Sequence, residues 1–423
     1  MVYGKRRVGK TTLIQKALES HNCPKVYFEC LKGTLQDNID GLVQELVRAQ
    51  ILPVPLQFTA LQDVFAYLNT LPQKMVVVID EYPYLKAMNE SATVDSIFQS
   101  IIDNRIANIA LIISGSHIGM MRETLQEKNA LYGRFAATIK LNELSYLDAA
   151  KFYPDKTPYE KAAHYAVFGG SPFVNQMLCP TATLRENIIH TILNPVSPVY
   201  LYASQLLLSD YAVKINAERI FAVLGNSKKR YTEIEDKLDA KKTGNLAKQM
   251  KPLIDLEIIT RNNPINKLGD NKKSGFEIND NLLRFYFTFL YKNASALQML
   301  GAEAFYDEYI APALTDFISR RFEGICRDYF SLQARAGKGR GVRNIGSYYY
   351  DDPVHRKNGE FDVVLEYADG YEIYEAKYYA QPMTLDEIHR EVQQVEAIRE
   401  LKVKQLGFIA INGFAEEEGP TLT

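Results

Sequence analysis

Eight residues near the start of the chain, Gly4-Lys5-Arg6-Arg7-Val8-Gly9-Lys10-Thr11, have the spacing of a phosphate cradle. In the pattern G-x-x-x-x-G-K-[ST], the glycines let successive backbone N–H groups curl toward phosphate oxygens. The lysine reaches the β- and γ-phosphates and the hydroxyl ligates Mg2+. Lys10 and Thr11 take those two places, with Thr12 beside them. A second signal follows at Met75-Val76-Val77-Val78-Ile79, an apolar β-branched run that ends in Asp80-Glu81. It reads as a buried parallel strand delivering two carboxylates at its C-terminal edge. Asp80 is placed to hold Mg2+ through its water shell, and Glu81 to orient and deprotonate an attacking water. Together the two motifs call for ATP or GTP.

These residues need a sheet to carry them. Leu13 and Ala17, with Ile14 and Leu18, fall at helical spacing, so the loop opens a helix whose N-terminus favours anions. The spacing then predicts a strand over Val26–Cys30, helices near Leu35–Leu46 and Thr59–Leu68, and a strand over Ile109–Ile113. Such alternation specifies an α/β fold with a parallel sheet, which binds ligands at the C-terminal ends of its strands. Ser114, at the tip of the last strand, is a candidate γ-phosphate sensor, and Ser116 reads as the cap of the next helix. Only Met1, Val2 and Tyr3 precede the loop, which is short for the strand that should feed it.

A chain of 423 residues with 47% hydrophobic content has enough material for two to four domains. The net charge of -2 excludes a polycation, so any nucleic-acid surface must be local. Cys23, Cys30, Cys179 and Cys326 form no C-x-x-C pair, and the six histidines add no zinc spacing. The apolar runs are of strand length rather than membrane length, which reads as a cytoplasmic protein without a membrane partner.

The sequences Val2–Thr11, Val78-Ile79-Asp80-Glu81-Tyr82-Pro83-Tyr84-Leu85, Ile113-Ser114-Gly115-Ser116 and Leu131-Tyr132-Gly133-Arg134 together resemble the archaeal-type AAA+/STAND ATPase family, whose members also occur in bacteria. Phe168-Gly169-Gly170-Ser171-Pro172 is similar to the Gly-x-Pro element of STAND ATPases, and the likeness continues into a C-terminal domain of uncharacterised function. By resemblance, Gly9, Lys10, Thr11 and Thr12 cradle phosphate and Mg2+, Asp80 and Glu81 are the metal-binding and catalytic acids, and Pro172 lies against the adenine. Arg134 matches a recurring arginine that serves either as an arginine finger or as a structural ion pair. Family members carry a longer segment ahead of the P-loop. The expectation is therefore that the true start lies upstream, the alternative being a weakened nucleotide pocket.

Residues 1–144 thus read as the ATPase core, 145–209 as a helical lid, 210–292 as a winged-helix unit and 293–423 as a domain resembling PD-(D/E)xK, restriction-endonuclease-like nucleases. Within the winged unit, Tyr231–Leu238 and Asn245–Lys251 read as helices, with Ile258–Arg261 and Gly275–Ile278 as wing strands. Lys241, Lys242, Lys248 and Lys251 either meet DNA phosphates or lie on a surface that only packs against the ATPase. Arg284–Tyr291 reads as an aromatic core helix.

In the last part, Glu360–Leu365 and Tyr371–Lys377 form a hairpin around Asp369-Gly370. Glu375 and Lys377 share one side of their strand because the side-chain period is two. With Asp362, and with Glu323 from the helix Phe317–Tyr329, they resemble the nuclease constellation of acids on Mg2+ and a lysine on the attacking water. A helix near Leu385–Leu401 completes the flank. The stretch Arg335–Arg343 either wraps a phosphate backbone or is a solvated loop. Two functions fit: an ATP-dependent enzyme that processes double-stranded DNA, or a STAND-like ATP/ADP switch whose inactive C-terminal module contacts a protein or a second copy.

Overall fold

The computed structural model describes residues 1–89, 91–104, 106–205, 217–225, 227–240, 245–352, 357–396, 398 and 401–415. The chain falls into two compact units, Met1–Glu143 and Leu144–Thr423.

In the first unit, β1 (Val2–Tyr3), β2 (Lys25–Glu29), β3 (Met75–Asp80), β4 (Ile109–Gly115) and β5 (Ile139–Lys140) form one sheet in the order β2-β3-β4-β1-β5. Every pairing is parallel. Short as it is, β1 is an interior strand, with Val2 opposite Ser114 of β4 on one side and Ile139 of β5 on the other. The helices are α1 (Lys10–Glu19), α2 (Leu35–Arg48), α3 (Leu61–Thr70), α4 (Tyr82–Met88), α5 (Ser91–Asp103) and α6 (Ile118–Glu123). A capping box between Thr34 and Asp37 starts α2, a device worth about 1 kcal/mol. Its buried face, Ile39, Leu42, Val43 and Leu46, joins Val77, Ile79, Phe65 and Phe98 in the main core. Val78, the alternate residue of β3, packs instead with Val2, Ile14 and Leu18 of the P-loop helix. A strand covered on both faces reads as a continuous apolar run, as β3 does.

The second unit opens with α7 (Tyr146–Ala149), α8 (Pro158–Phe168), α9 (Pro172–Gln176), α10 (Leu184–Asn187) and α11 (Pro198–Gln205). Then come α12 (Ala217–Leu224), β6 (Lys229–Arg230), α13 (Tyr231–Lys237), α14 (Leu246–Asp255), β7 (Ile259–Asn262) and β8 (Gly275–Ile278). Their sheet has the order β6-β8-β7 and is antiparallel throughout. The aromatic segment is α15 (Asn281–Phe285) continued by a π-helical turn over Tyr286–Leu290, and Phe285, Phe287 and Phe289 are buried.

After α16 (Ala294–Phe305) and the long α17 (Ala311–Arg335), the chain runs through β9 (Asn344–Asp352), β10 (Lys357–Glu366), β11 (Tyr371–Lys377), α18 (Leu385–Glu396) and β12 (Val403–Ala410). This sheet is ordered β12-β11-β10-β9, antiparallel except where β12 joins β11 in parallel. One core joins α8 and α9 to α17, Val363 of β10 and Tyr378, so the opening helices and the C-terminal sheet share their burial. Among the described residues, no helix is long and apolar enough to cross a membrane.

Candidate functional site

The P-loop's two glycines serve different physical ends. Gly9 has φ 92°, a left-handed conformation that side chains resist, and it turns the chain into α1. Gly4 is required by crowding: a Cβ there would lie 2.1 Å from the Leu141 carbonyl oxygen, where the strand ends converge. Arg7 also turns left-handed, at φ 64°. No side chain caps the start of α1, so its first amides point at the cradle.

Lys10 is buried and gives its ammonium to the loop's own carbonyls, Gly4 at 3.1 Å and Lys5 at 2.9 Å. Burial draws its pKa below the ordinary lysine value, while the charges of Glu81 and Asp80 oppose that shift. Lys5 pairs with Glu143 at 3.5 Å, Val8 is buried, and Thr12 is exposed. Arg6 donates to the Tyr84 hydroxyl at 2.7 Å, and Lys32 lies 4.6 Å above the same ring.

The Thr11 hydroxyl donates to Asp80 Oδ2 at 3.2 Å, joining the two motifs across the sheet. The Tyr27 hydroxyl donates to that same oxygen, and the Glu81 amide donates to Asp80 Oδ1 at 2.9 Å. Hydroxyl and carboxylate oxygens are the hard donors that Mg2+ takes when substrate phosphates supply the rest, so Thr11 and Asp80 fit this ion. Glu81 stands left-handed at φ 48°, the kind of backbone strain that clusters at functional sites.

Its carboxylate is held by Ser116, from the amide at 3.1 Å and the hydroxyl at 2.7 Å. Ser114, the candidate γ-phosphate sensor, is fully buried in register with Val2, and its hydroxyl has no partner among the described residues. Nor does Ser116 cap α6; that role falls to His117, whose ring accepts from the Met120 amide. Arg134 grips Asp103 at 2.9 and 2.8 Å and donates to the Ala130 carbonyl at 2.9 Å, which is the ion-pair arrangement. Tyr27, Tyr84 and Ser116 were missed because aromatic and hydroxyl residues have no fixed spacing to the motifs they touch.

Pro172 belongs to the second unit, at the first turn of α9. The Asn175 side chain ties this element by donating to Gly169 O at 3.0 Å and Ser171 O at 2.9 Å. A Cβ at Gly170 would fall 2.0 Å from the Leu144 carbonyl oxygen.

On the C-terminal sheet, Glu323 of α17, Asp362 of β10 and Glu375 of β11 lie close enough to act on one another's charge. Burial first, then these neighbours, pushes Glu323 well above the ordinary carboxyl range, and burial raises Asp362 and Glu375 too. Lys377 lies 3.5 Å from Glu375 but 2.6 Å from Glu391 of α18. Carboxylates suit a hard divalent cation by chemistry, but their placement here does not: among the described residues no three acids, histidines or cysteines are gathered to hold a metal. Lys248 and Lys251 lie on the exposed side of α14, opposite Leu246, Met250 and Leu253; Lys241 and Lys242 lie outside the described residues. Arg335 ends α17, and turns with positive φ at Gly337 and Gly341 lead from it to β9.

Residues 1–174 match the family model described as an ATPase domain predominantly from archaea. The chain carries a P-loop ATPase domain. This domain binds ATP, and the match runs through Pro172. Residues 286–392 match a second family, described as archaeal and bacterial proteins of unknown function, which takes in Glu323, Asp362, Glu375 and Lys377. The uncharacterised protein MJECL04 of Methanocaldococcus jannaschii is 28% identical over 335 residues, 78% of this chain and 72% of its own. Among solved structures, the Walker-type ATPase PABY2304 of Pyrococcus abyssi aligns with TM-score 0.48 at 15% identity, covering 68% of this chain and 89% of that one. The ORC2 protein of Aeropyrum pernix aligns with TM-score 0.44 at 12% identity, covering 71% and 88%.

Proposed function

We propose that this P-loop ATPase is Mg2+-dependent and couples its nucleotide state to DNA through the second unit. The hydrogen bond between Thr11 and Asp80 carries the metal assignment, because it brings together the two hard-oxygen groups that would hold Mg2+ beside the phosphates. Bound there, the ion would neutralise charge on the transferring phosphoryl group. Lys10 would exchange two neutral carbonyls for phosphate oxygens, and the α1 amides would receive the remaining negative charge. Glu81, one residue beyond Asp80, would orient the attacking water and take its proton. Pro172 is assigned to the adenine on the family pattern.

For DNA, helices α13 and α14 followed by the antiparallel pair β7 and β8 have the order of a winged helix. Lys248 and Lys251 on α14 would meet phosphates. The wing itself is engaged: Asn266 exchanges hydrogen bonds with the Tyr349 backbone at 2.8 and 3.0 Å, which covers the edge of β9. The helix rather than the wing would therefore enter a groove. The succession α17, β9, β10, β11, α18, β12 supports a nuclease-like fold for the C-terminal sheet.

The experiment is ATP turnover with and without duplex DNA. Lys10→Ala abolishes nucleotide binding, and Glu81→Gln keeps binding while turnover falls by about 100-fold or more. Equal turnover by wild type and Glu81→Gln removes Glu81 from the chemistry. DNA that neither binds nor changes turnover sinks the coupling.

A second reading, an ATP/ADP switch whose C-terminal module is inactive, draws on the acids of that sheet, where Lys377 pairs with Glu375 and Glu391 and, among the described residues, no acids are gathered around a metal position. Cleavage of DNA with Mg2+ or Mn2+ that is lost in Glu375→Ala decides against it.

A further inference from the structure

The C-terminal sheet ends in β12, which pairs only with β11 among the described strands. The Ile411 amide donates inward to the Lys377 carbonyl at 3.2 Å, so alternation along the strand turns the N–H groups of Leu406, Phe408 and Ala410 outward. Such an edge is a template for another strand, and proteins commonly guard it with charge. Lys402 and Lys404 stand at the start of β12, whereas the stretch Leu406–Ile411 carries no charged residue.

Beside this uncharged stretch lies a cavity of about 390 Å³, within the size range of ligand pockets. Its wall takes in Leu147 of α7, Ile325 and Tyr329 of α17, and Ile409, Ala410 and Ile411. Of the sheet, only β12 and the residue that follows it line the cavity. Ile409 and Ile411 pack toward α17, while Leu406, of the other parity, packs on the opposite face with Ile373 and Val395. Ala410 shares the parity of Leu406 and still lines the cavity, so the cavity extends to the rim of the sheet instead of staying on one face. Leu147 and Tyr329 are each about half exposed, which leaves it open to solvent.

We propose that the β12 edge and this cavity form a docking groove for an extended peptide of a partner protein, which adds a strand beside β12 and seats an apolar side chain against α17. Main-chain bonds to Leu406 and Phe408 supply affinity, and alternate side chains entering the cavity supply selectivity. Asp328 of α17 adds a carboxylate to the same lining, so the complementary peptide carries a basic residue next to its apolar anchor. A strand is the occupant that fits, because outward N–H groups and an apolar wall stand side by side; a small apolar molecule would leave the edge unpaired. The groove uses none of Glu323, Asp362, Glu375 and Lys377, so it holds whether or not the sheet cuts DNA.

The test is selection of phage-displayed random peptides on the full chain, followed by fluorescence polarisation of the enriched peptides; neither ATP nor DNA enters the measurement. Enriched sequences alternate apolar and polar residues and carry Lys or Arg beside the apolar anchor. Methylating alternate backbone nitrogens of a selected peptide removes its binding to the unaltered protein, so the test survives a variant that fails to fold. Ala410→Pro deletes one outward N–H, keeps the inward ladder, and weakens binding about tenfold, the scale of one hydrogen bond. Leu147→Arg, which sets a cation at the cavity mouth, weakens it as well. Asp328→Asn weakens peptides that carry the base about threefold and leaves those with Gln in its place unchanged. No enriched sequence, or full binding by the methylated peptide, overturns strand addition. Peptides indifferent to both Ala410→Pro and Leu147→Arg bind elsewhere and overturn it too. Self-association that is lost in Ala410→Pro, with no peptide bound, puts a second copy of the chain in the groove and overturns the peptide as its occupant.

Discussion

Ser116 holds Glu81 through two hydrogen bonds to one carboxylate oxygen, Oε2, from its amide at 3.1 Å and its hydroxyl at 2.7 Å. The strand order explains the meeting: β4 lies between β3, which carries Asp80 and Glu81, and β1, which feeds the P-loop. A residue just past the tip of β4 therefore reaches Glu81, just past the end of β3. With Oε2 fixed, the direction of Oε1 is set as well, and in the proposed mechanism that oxygen would orient the water. Ser116→Ala keeps the amide bond and loses the hydroxyl, so kcat for ATP falls about tenfold through disorder of the carboxylate while KM stays near wild type. Ser116→Thr restores most of the loss. A KM change without a kcat change would assign Ser116 to nucleotide binding instead.

Much of the ATPase unit was legible because its chemistry sits in contiguous runs. Gly4–Thr11 and Met75–Glu81 each carry their own spacing, and the structure brings Thr11 and Asp80 into contact as that spacing implies. The partners were illegible where they depend on register between distant strands. Nothing local distinguishes Ser114 from Ser116; pairing of Val2 with Ser114 buries one and leaves the other beside Glu81. In the second unit, β9 and β12 went unread, since Asn344–Asp352 follows a glycine-rich turn and Val403–Ala410 lacks clean alternation. The engagement of Lys377 by Glu391 was hidden for the same reason, because α18 must first be packed on the sheet before its acids can be placed.

A buried ion pair supports the segment that follows Glu81. Lys86 of α4 donates to Asp95 of α5 at 2.8 Å, with side chains only 1% and 3% exposed. Asp95 also accepts from the Tyr82 hydroxyl at 2.6 Å and the Asn129 amide at 2.7 Å. Asp95→Ala leaves the ammonium buried without its partner and costs about 3–5 kcal/mol. Lys86→Met combined with Asp95→Leu recovers most of that loss, because the pair as a whole contributes little once both charges are gone. Denaturant unfolding of the single and double variants checks both outcomes. A double variant as weak as Asp95→Ala would place the cost in the lost Tyr82 and Asn129 bonds.

His164 makes the stability of the second unit depend on pH. Its ring lies buried in α8, with Nδ1 2.8 Å from the Glu160 carbonyl and Nε2 3.4 Å from the Asn187 amide nitrogen. A neutral ring suits both contacts, donating at Nδ1 and accepting at Nε2. Burial is the larger effect and pulls the pKa from 6.5 down to about 4, against the opposing pull of the Glu160 carbonyl. The unfolded chain therefore binds a proton that the folded one refuses between pH 6.5 and about 4. Stability from this group is fully present above pH 6.5 and falls as the pH drops through that window, by about 3 kcal/mol in all. His164→Gln lacks the titrating ring, so its unfolding free energy loses less than wild type between pH 7 and 4.5. Parallel pH profiles for the two proteins would show that His164 is not the group that titrates.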